Sequence, residues 1–230
     1  MKRRPTLELL DSDSGTPEEI ARSLLDLRSF NRYLGGVSTT RDLIRVVARK
    51  TGKTNLSLLE LAAGTGFVPL QSARDLRDES IKLDVTLLDR ATTHLPQNGS
   101  ATKIAGDALR APFADSSFDL VSCSLFVHHL SPEVVMQFAR EALRICRVAV
   151  LVNDLVRHPL HLALAYAGAP LYRSRITRND APASVRQSYT VEEMSALFRS
   201  VEVQVETRKH FLFRMGVIAW KSASETRYDF

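Results

Sequence analysis

Four acids stand where short apolar runs of this chain stop: Glu60 after 56–59, Asp89 after 85–88, Asp107 after 102–105 and Asp154 after 148–152. The first of them opens the series Glu60-Leu61-Ala62-Ala63-Gly64-Thr65-Gly66. Glycines there let the backbone turn tightly and come close to a ligand that a side chain would exclude. The helix that follows offers unpaired N–H groups at its start. An acid at the end of the next strand, Asp89, can accept two hydrogen bonds from ribose hydroxyls. In open α/β sheets ligands lie beyond the carboxyl ends of the strands, so the coincidence of these acids with strand ends points to one nucleotide-type site. A dinucleotide fingerprint wants a third glycine, and Pro69 stands in its place.

Proton transfer near neutral pH has few candidates: His94, His128, His129, His158, His161 and His210. His128 and His129 follow a predicted fourth strand, 118–122, in SLFVHHL, where either can serve as a general base or can cap and pack the next helix. His158 and His161 adjoin a candidate lid and are weaker alternatives, as is Asp154. The two cysteines, Cys123 and Cys146, form no CxxC pair, and no Cys/His spacing suggests zinc. No metal is expected, and two free thiols fit a reducing compartment, the cytoplasm.

These residues need a scaffold, and the periodicity supplies one. Thr16-Pro17-Glu18-Glu19 is a capping box that starts a helix with Ile20, Leu24, Leu25, Leu27 and Phe30 as its apolar stripe. Gly35-Gly36 ends it. A second helix begins at Ser38-Thr39-Thr40, faces Leu43, Ile44, Val46 and Val47 inward, and stops at Gly52. Strands at 56–59, 85–88, 102–105, 118–122 and 148–152 then alternate with helices at 68–76 and 132–145, the pattern of a parallel sheet covered on both faces. Thr190 and Glu193 start a later helix, and runs 201–206 and 211–220 read as a closing hairpin around Thr207-Arg208-Lys209-His210.

The 230 residues carry 31 basic and 26 acidic side chains, mostly interspersed, and 44% are hydrophobic. That length suits one α/β domain with an embellishment. The net charge of +5 comes without an aromatic-basic platform, so a nucleic-acid partner is not expected. The start MKRRPTLELL has no apolar core of a signal peptide, and no run is long enough to span a bilayer.

The ordered series ELAAGTG, VTLLD, AGDALRAPFADSSFDLVSCS and FVHHL resembles the class I S-adenosylmethionine-dependent methyltransferases, in particular the small-molecule enzymes that include those of quinone biosynthesis. The resemblance covers about 56–154 and extends weakly to the terminal hairpin. It implies an α/β fold: a Rossmann-like, seven-stranded, mostly parallel sheet with an antiparallel C-terminal hairpin and an N-terminal helical extension. Residues 1–54 would form the helical cap and 55–230 the methyltransferase domain, with a lid insertion at about 155–188. The cofactor would be S-adenosylmethionine, leaving as S-adenosylhomocysteine. The resemblance places Glu60, Ala62, Gly64 and Gly66 under its methionine and ribose parts. Asp89 would hold the ribose hydroxyls, with Arg90 beside the adenine. Asp107 and the Ala108 backbone would meet the adenine edge, and Ser124 and Leu125 the sulfonium end. Ala62 replaces the family's usual first glycine and Glu60 its commoner aspartate. Because this cofactor has no phosphate, Pro69 is acceptable in the first helical turn. His128 and His129 would lie at the reacting centre. Tyr33, Asp154, Arg157 and Arg175 are the candidate substrate contacts. The acceptor would be a small, largely apolar molecule, with a phenolic or quinone-like hydroxyl ahead of carbon methylation of a similar ring. A non-catalytic cofactor-binding partner protein is the other reading. The apolar half of the lid allows peripheral membrane contact.

Overall fold

A computed structural model describes residues 1–12, 14–91, 93–96, 99 and 101–221. The expected second unit therefore ends, for residues 222–230, outside the described residues.

Seven strands form one sheet: β1 (Asn55–Leu61), β2 (Lys82–Asp89), β3 (Thr102–Ala105), β4 (Phe118–Ser124), β5 (Cys146–Leu155), β6 (Gln204–His210) and β7 (Arg214–Trp220). Their order is β3-β2-β1-β4-β5-β7-β6, with β7 antiparallel to both β5 and β6 and the other pairs parallel. The expected sheet and hairpin are therefore present. The inner strands read as unbroken apolar runs because both faces are covered. On one face α2 (Gly36–Thr51) and α3 (Phe67–Arg77) bury Leu43, Ile44, Val47, Ala73 and Leu76 against Leu58, Leu87, Leu120 and Ile218. On the other, α4 (Pro132–Ile145) and α7 (Val191–Arg199) bury Phe138, Ala142, Met194 and Phe198 against Val121, Val150 and Val217. The division expected at residue 54 runs through the first of these clusters, since α2 shares it with the sheet.

Three helices and the amino-terminal segment sit over the carboxyl edge of the sheet. They are α1 (Pro17–Tyr33), α5 (Pro159–Ala167) and α6 (Arg175–Gln187). The Thr16 capping box forms as expected. The α1 apolar stripe does not enter the core: Ser23 and Asp26 are the buried residues of this helix, and Leu25 stays exposed. Its apolar side faces a cavity instead.

Several boundaries move, for physical reasons. Glu60, Ser124 and Asp154 belong to their strands: Ser122 satisfies Glu60 across the ladder, and His128 satisfies Asp154 from the turn at 127–129. The hairpin turn lies at 211–213, not at Thr207–His210; Leu212 and Phe213 take positive φ of 49° and 59°. The charged residues Arg208 and Lys209 belong to the edge strand, where charge discourages further pairing.

Candidate functional site

A cavity of about 930 Å³ opens at the carboxyl edge of the sheet, between the strand ends below and α1, α5 and α6 above. Its floor begins at the glycine loop. Ala62 takes φ 53°, a conformation that a glycine adopts more freely, so the methyl of Ala62 sits in a strained place. Gly64 takes φ 51°, and a Cβ built on it would meet nothing within 4 Å. Space above that residue is thus open for a ligand. Gly66 caps α3 at φ 64°, and its Cβ would come 2.5 Å from Leu87 Cδ1. Gly66 shapes the turn without lining the cavity, and Pro69 is the third residue of α3, where no helical N–H is lost.

Asp89 ties the loop to the neighbouring strand. One oxygen accepts from the Gly64 N–H at 2.7 Å and the other from the Ala91 N–H at 2.8 Å. A carboxylate has further lone pairs, so the aimed group can still accept from a ligand. Asp107 accepts from the Leu109 N–H at 2.9 Å, and Arg90, Asp107, Ala108, Ser124 and Leu125 all line the cavity. The Ser124 hydroxyl is buried beside the Glu60 carboxyl, and Leu125 holds φ 56°.

Glu60 is 1% exposed and receives the Ser122 hydroxyl hydrogen bond. Burial drives its pKa up to about 7, and the Ser122 and Ser124 hydroxyls only partly offset that. No cation pairs with Glu60 among the described residues.

His128 and His129 reach the cavity wall on a short 3-10 turn, 127–129. His128 Nδ1 lies 2.6 Å from Asp154 Oδ1, while its backbone N–H donates to Asp154 Oδ2 at 3.0 Å. Its Nε2 lies 3.6 Å from Glu8 Oε1. Burial would favour the neutral ring, but the two carboxylates outweigh it and push the imidazolium pKa up to about 10. His128 is therefore charged at neutral pH and has no lone pair for a general base. Asp154 is 0% exposed and does not line the cavity; it acts on the site through His128. His129 Nδ1 pairs with Asp11 at 3.0 Å. Glu8, His128 and His129 are metal-ligating types with one ligand atom each within 4.8 Å of one another, an arrangement in which Glu8 is the counter-charge of the imidazolium.

Glu8 and Asp11 give no signal in the sequence. They arrive on residues 1–12, which strap across α6 and the turn at 128–130: Arg3 donates to Gln187 O, His128 O and Leu130 O, and the Leu9 and Leu10 N–H groups donate to Asp180. His161, on α5, lines the same cavity. Its Nδ1 lies 3.0 Å from the Val156 carbonyl, which can only accept, so the proton is on Nδ1 and Nε2 keeps a lone pair. Burial, with Arg214 and His158 nearby, holds its pKa below the usual histidine range.

Three of the expected substrate contacts lie elsewhere. Tyr33 is 70% exposed and borders a separate small cleft with Arg32 and Arg41, because it falls on the outer side of α1 from Phe30, Asn31 and Leu34. Arg157 is buried against Met1 O, Ser188 O and Glu193, a structural tie between the lid and α7. Arg175 pairs with Glu19 on the outside of α1 and α6.

Comparison with known proteins gives a consistent answer. Residues 59–150 match the family described as methyltransferase domain. The demethylmenaquinone methyltransferase of Beutenbergia cavernae is 40% identical over 81 residues, 34% of this chain and 31% of that protein. The demethylmenaquinone methyltransferase of Roseiflexus sp. is 30% identical over 162 residues, 65% of this chain and 67% of that one. The chain thus spans under a third of one relative's length and two thirds of the other's. Among solved structures, the plantazolicin methyltransferase BpumL in complex with SAH superposes with a TM-score of 0.70 at 13% identity, covering 94% of this chain and 95% of its own. That likeness concerns the fold.

Proposed function

The chain belongs to the class I S-adenosylmethionine-dependent methyltransferases, and on that premise we propose that it methylates a small, largely apolar molecule, preferentially at a phenolic or quinone-like hydroxyl. The observation that carries this reading is the two-ended cavity. One end has Gly64 in the loop after β1, Asp89 on β2 and Asp107 in the turn after β3; the other has Leu27, Phe30, Leu155, Leu164 and Phe213. The first end fits the family's cofactor on two features of the chain itself: open space over Gly64 and a buried Glu60 without a cation. A sulfonium and an ammonium are the charges that such an acid lacks. S-adenosylmethionine supplies the activated methyl group. In this reading Asp89 holds the ribose hydroxyls and Asp107 the adenine edge, with Arg90, Ala108 and Leu125 beside them.

The names of the two relatives support a quinone-like ring as acceptor. His161 is the side chain best placed to take the acceptor's proton, being neutral, partly buried and lined up in the apolar half of the cavity. His128 positions the wall instead, as a fixed imidazolium. Cys123 and Cys146 are buried and form no disulfide, which supports a cytoplasmic enzyme. The exposed Leu160, Leu164 and Leu171 near the mouth support brief contact with a lipid surface.

The test is transfer from labelled S-adenosylmethionine to a panel of phenols, quinols, quinone-type rings and amines, with the methylated atom located by NMR. Label found on ring oxygen supports the reading; label found only in protein or RNA overturns it. His161→Gln should cut turnover by about 100-fold while leaving S-adenosylhomocysteine affinity unchanged. The acid limb of the wild-type pH profile should lie below about 6.5, the ordinary histidine value.

A further inference from the structure

Arg214 opens β7 and is 2% exposed, yet it lines the cavity. Its hydrogen bonds go to neutral side chains: Nη1 to Asn153 Oδ1 at 3.2 Å and Nη2 to Asn31 Oδ1 at 2.9 Å. Asn153 cannot rotate away, because its amide nitrogen donates to Gly36 O and to Thr40 Oγ1. Among the described residues no carboxylate lies within ion-pair distance of the guanidinium. Asp154 attracts it from farther off, but the oxygens of Asp154 already serve the His128 ring and the His128 and Leu155 N–H groups. Burial lowers the Arg214 pKa only to about 10, so the group is charged at neutral pH. A buried guanidinium held in place by two asparagines and lacking a counter-ion is prepared to receive an anion.

Where that anion comes from follows from the sheet order. The residues proposed for the cofactor stand on and after β1, on β2, after β3 and at the end of β4. Arg214 stands on β7, two strands beyond β4 and on the side away from β2 and β3, which at strand spacing is about 10 Å from β4, the nearest of those strands. The surrounding wall is Leu34, Leu155, Phe213 and the neutral ring of His161. We infer that Arg214, steadied by Asn31 and Asn153, is the subsite for a carboxylate carried by the acceptor, which makes the substrate class an apolar ring or chain bearing one carboxylate. A guanidinium fork suits the planar, paired oxygens of that group. The inference rests on the methyltransferase reading for the word acceptor, although the anion site itself does not.

Calorimetry on the full chain, with and without S-adenosylhomocysteine, would compare three matched pairs: benzoate with benzamide, 2-naphthoate with 2-naphthamide, and octanoate with octanamide. At least one carboxylate should bind about tenfold more tightly than its amide. In Arg214→Gln that preference should fall to near one, while S-adenosylhomocysteine affinity stays within about twofold; Arg214→Lys should keep part of it. If no pair favours the carboxylate in the wild type, the inference is overturned, whatever the variants do. If Arg214→Gln weakens S-adenosylhomocysteine but not its decarboxylated analogue, the guanidinium serves the cofactor and the inference is overturned. Loss of S-adenosylhomocysteine binding by the wild type would sink the methyltransferase reading, and the pairs measured without it would still report on Arg214.

Discussion

The same side-chain pair occurs twice across β1 and β4, at opposite ends of the two strands. Near the amino end Asp119 accepts from the Ser57 N–H and from the Ser57 hydroxyl, both at 3.0 Å. Near the carboxyl end Glu60 accepts from Ser122, its register partner. Both acids are buried, yet their pKa values move in opposite directions. Burial would raise both, but at Asp119 the Ser57 bonds together with Lys53 and Arg147 hold the carboxyl far below its usual range. Glu60 has no such cation and rises to about 7. One end of the sheet completes its own charge balance, and the other leaves it to be completed by what binds. That contrast separates the end built for stability from the end built for a cationic ligand.

The contrast can be broken from either side. Asp89→Ala removes the loop's anchor at the ligand end and should weaken S-adenosylhomocysteine by about 100-fold or more by calorimetry, given two bonds to a charged acceptor. An unchanged affinity would remove Asp89 from the site. Asp119→Asn should cost about 2 kcal/mol in urea unfolding and leave that affinity alone. Asp119's pKa is depressed in the fold, so its contribution is present above the unfolded value near 3.8 and fades as pH falls below it.

Glu60 runs the other way. Its folded pKa is raised, so the folded state holds the proton more tightly and stability declines from pH 4.5 up to about 7, then levels. Glu60→Gln should therefore gain about 2 kcal/mol at pH 8, gain nothing near pH 4, and bind S-adenosylhomocysteine roughly tenfold more weakly. A variant no more stable than wild type at pH 8 would contradict the uncompensated acid. The smallest signal is the most direct: cofactor binding at pH 7 should release about half a proton, read from calorimetry in buffers of different ionisation enthalpy. His128 adds a third slope. Its raised pKa gives stability present below about 6.5 that is lost as pH rises through about 10, and Glu8→Gln should shift that loss to lower pH in thermal melts.

Much of this was legible in the sequence because it is local. The capping boxes at Thr16 and Thr190, the helix at Pro132–Ile145 and the strand at Thr102–Ala105 need only neighbours along the chain, and the structure has all of them. The glycine loop and Asp89 come together because strand-end position carries over into space. What could not be read depends on partners far away in the chain. Nothing in LELL announces that Glu8 will face His128, nor does HH announce that one imidazole will be locked between two carboxylates. The expected arginines failed for the same reason. Arg157 is held in buried contacts with Ser188 and Glu193 and Arg175 pairs with Glu19 on the outside, whereas Arg214 hides in a strand whose composition looks like core.

The strap over α6 has a kinetic consequence. Its hydrogen bonds join residues separated by as many as 184 positions, so they close the largest loops in the chain and reward folding late. The sheet and glycine loop rely on much shorter connections. A refolding chain should therefore regain affinity for S-adenosylhomocysteine before it buries Glu8 beside His128, and rapid-mixing experiments would see two phases. The same order applies in reverse under mild denaturant: the amino-terminal segment detaches first, exposing the imidazole while the nucleotide end stays folded.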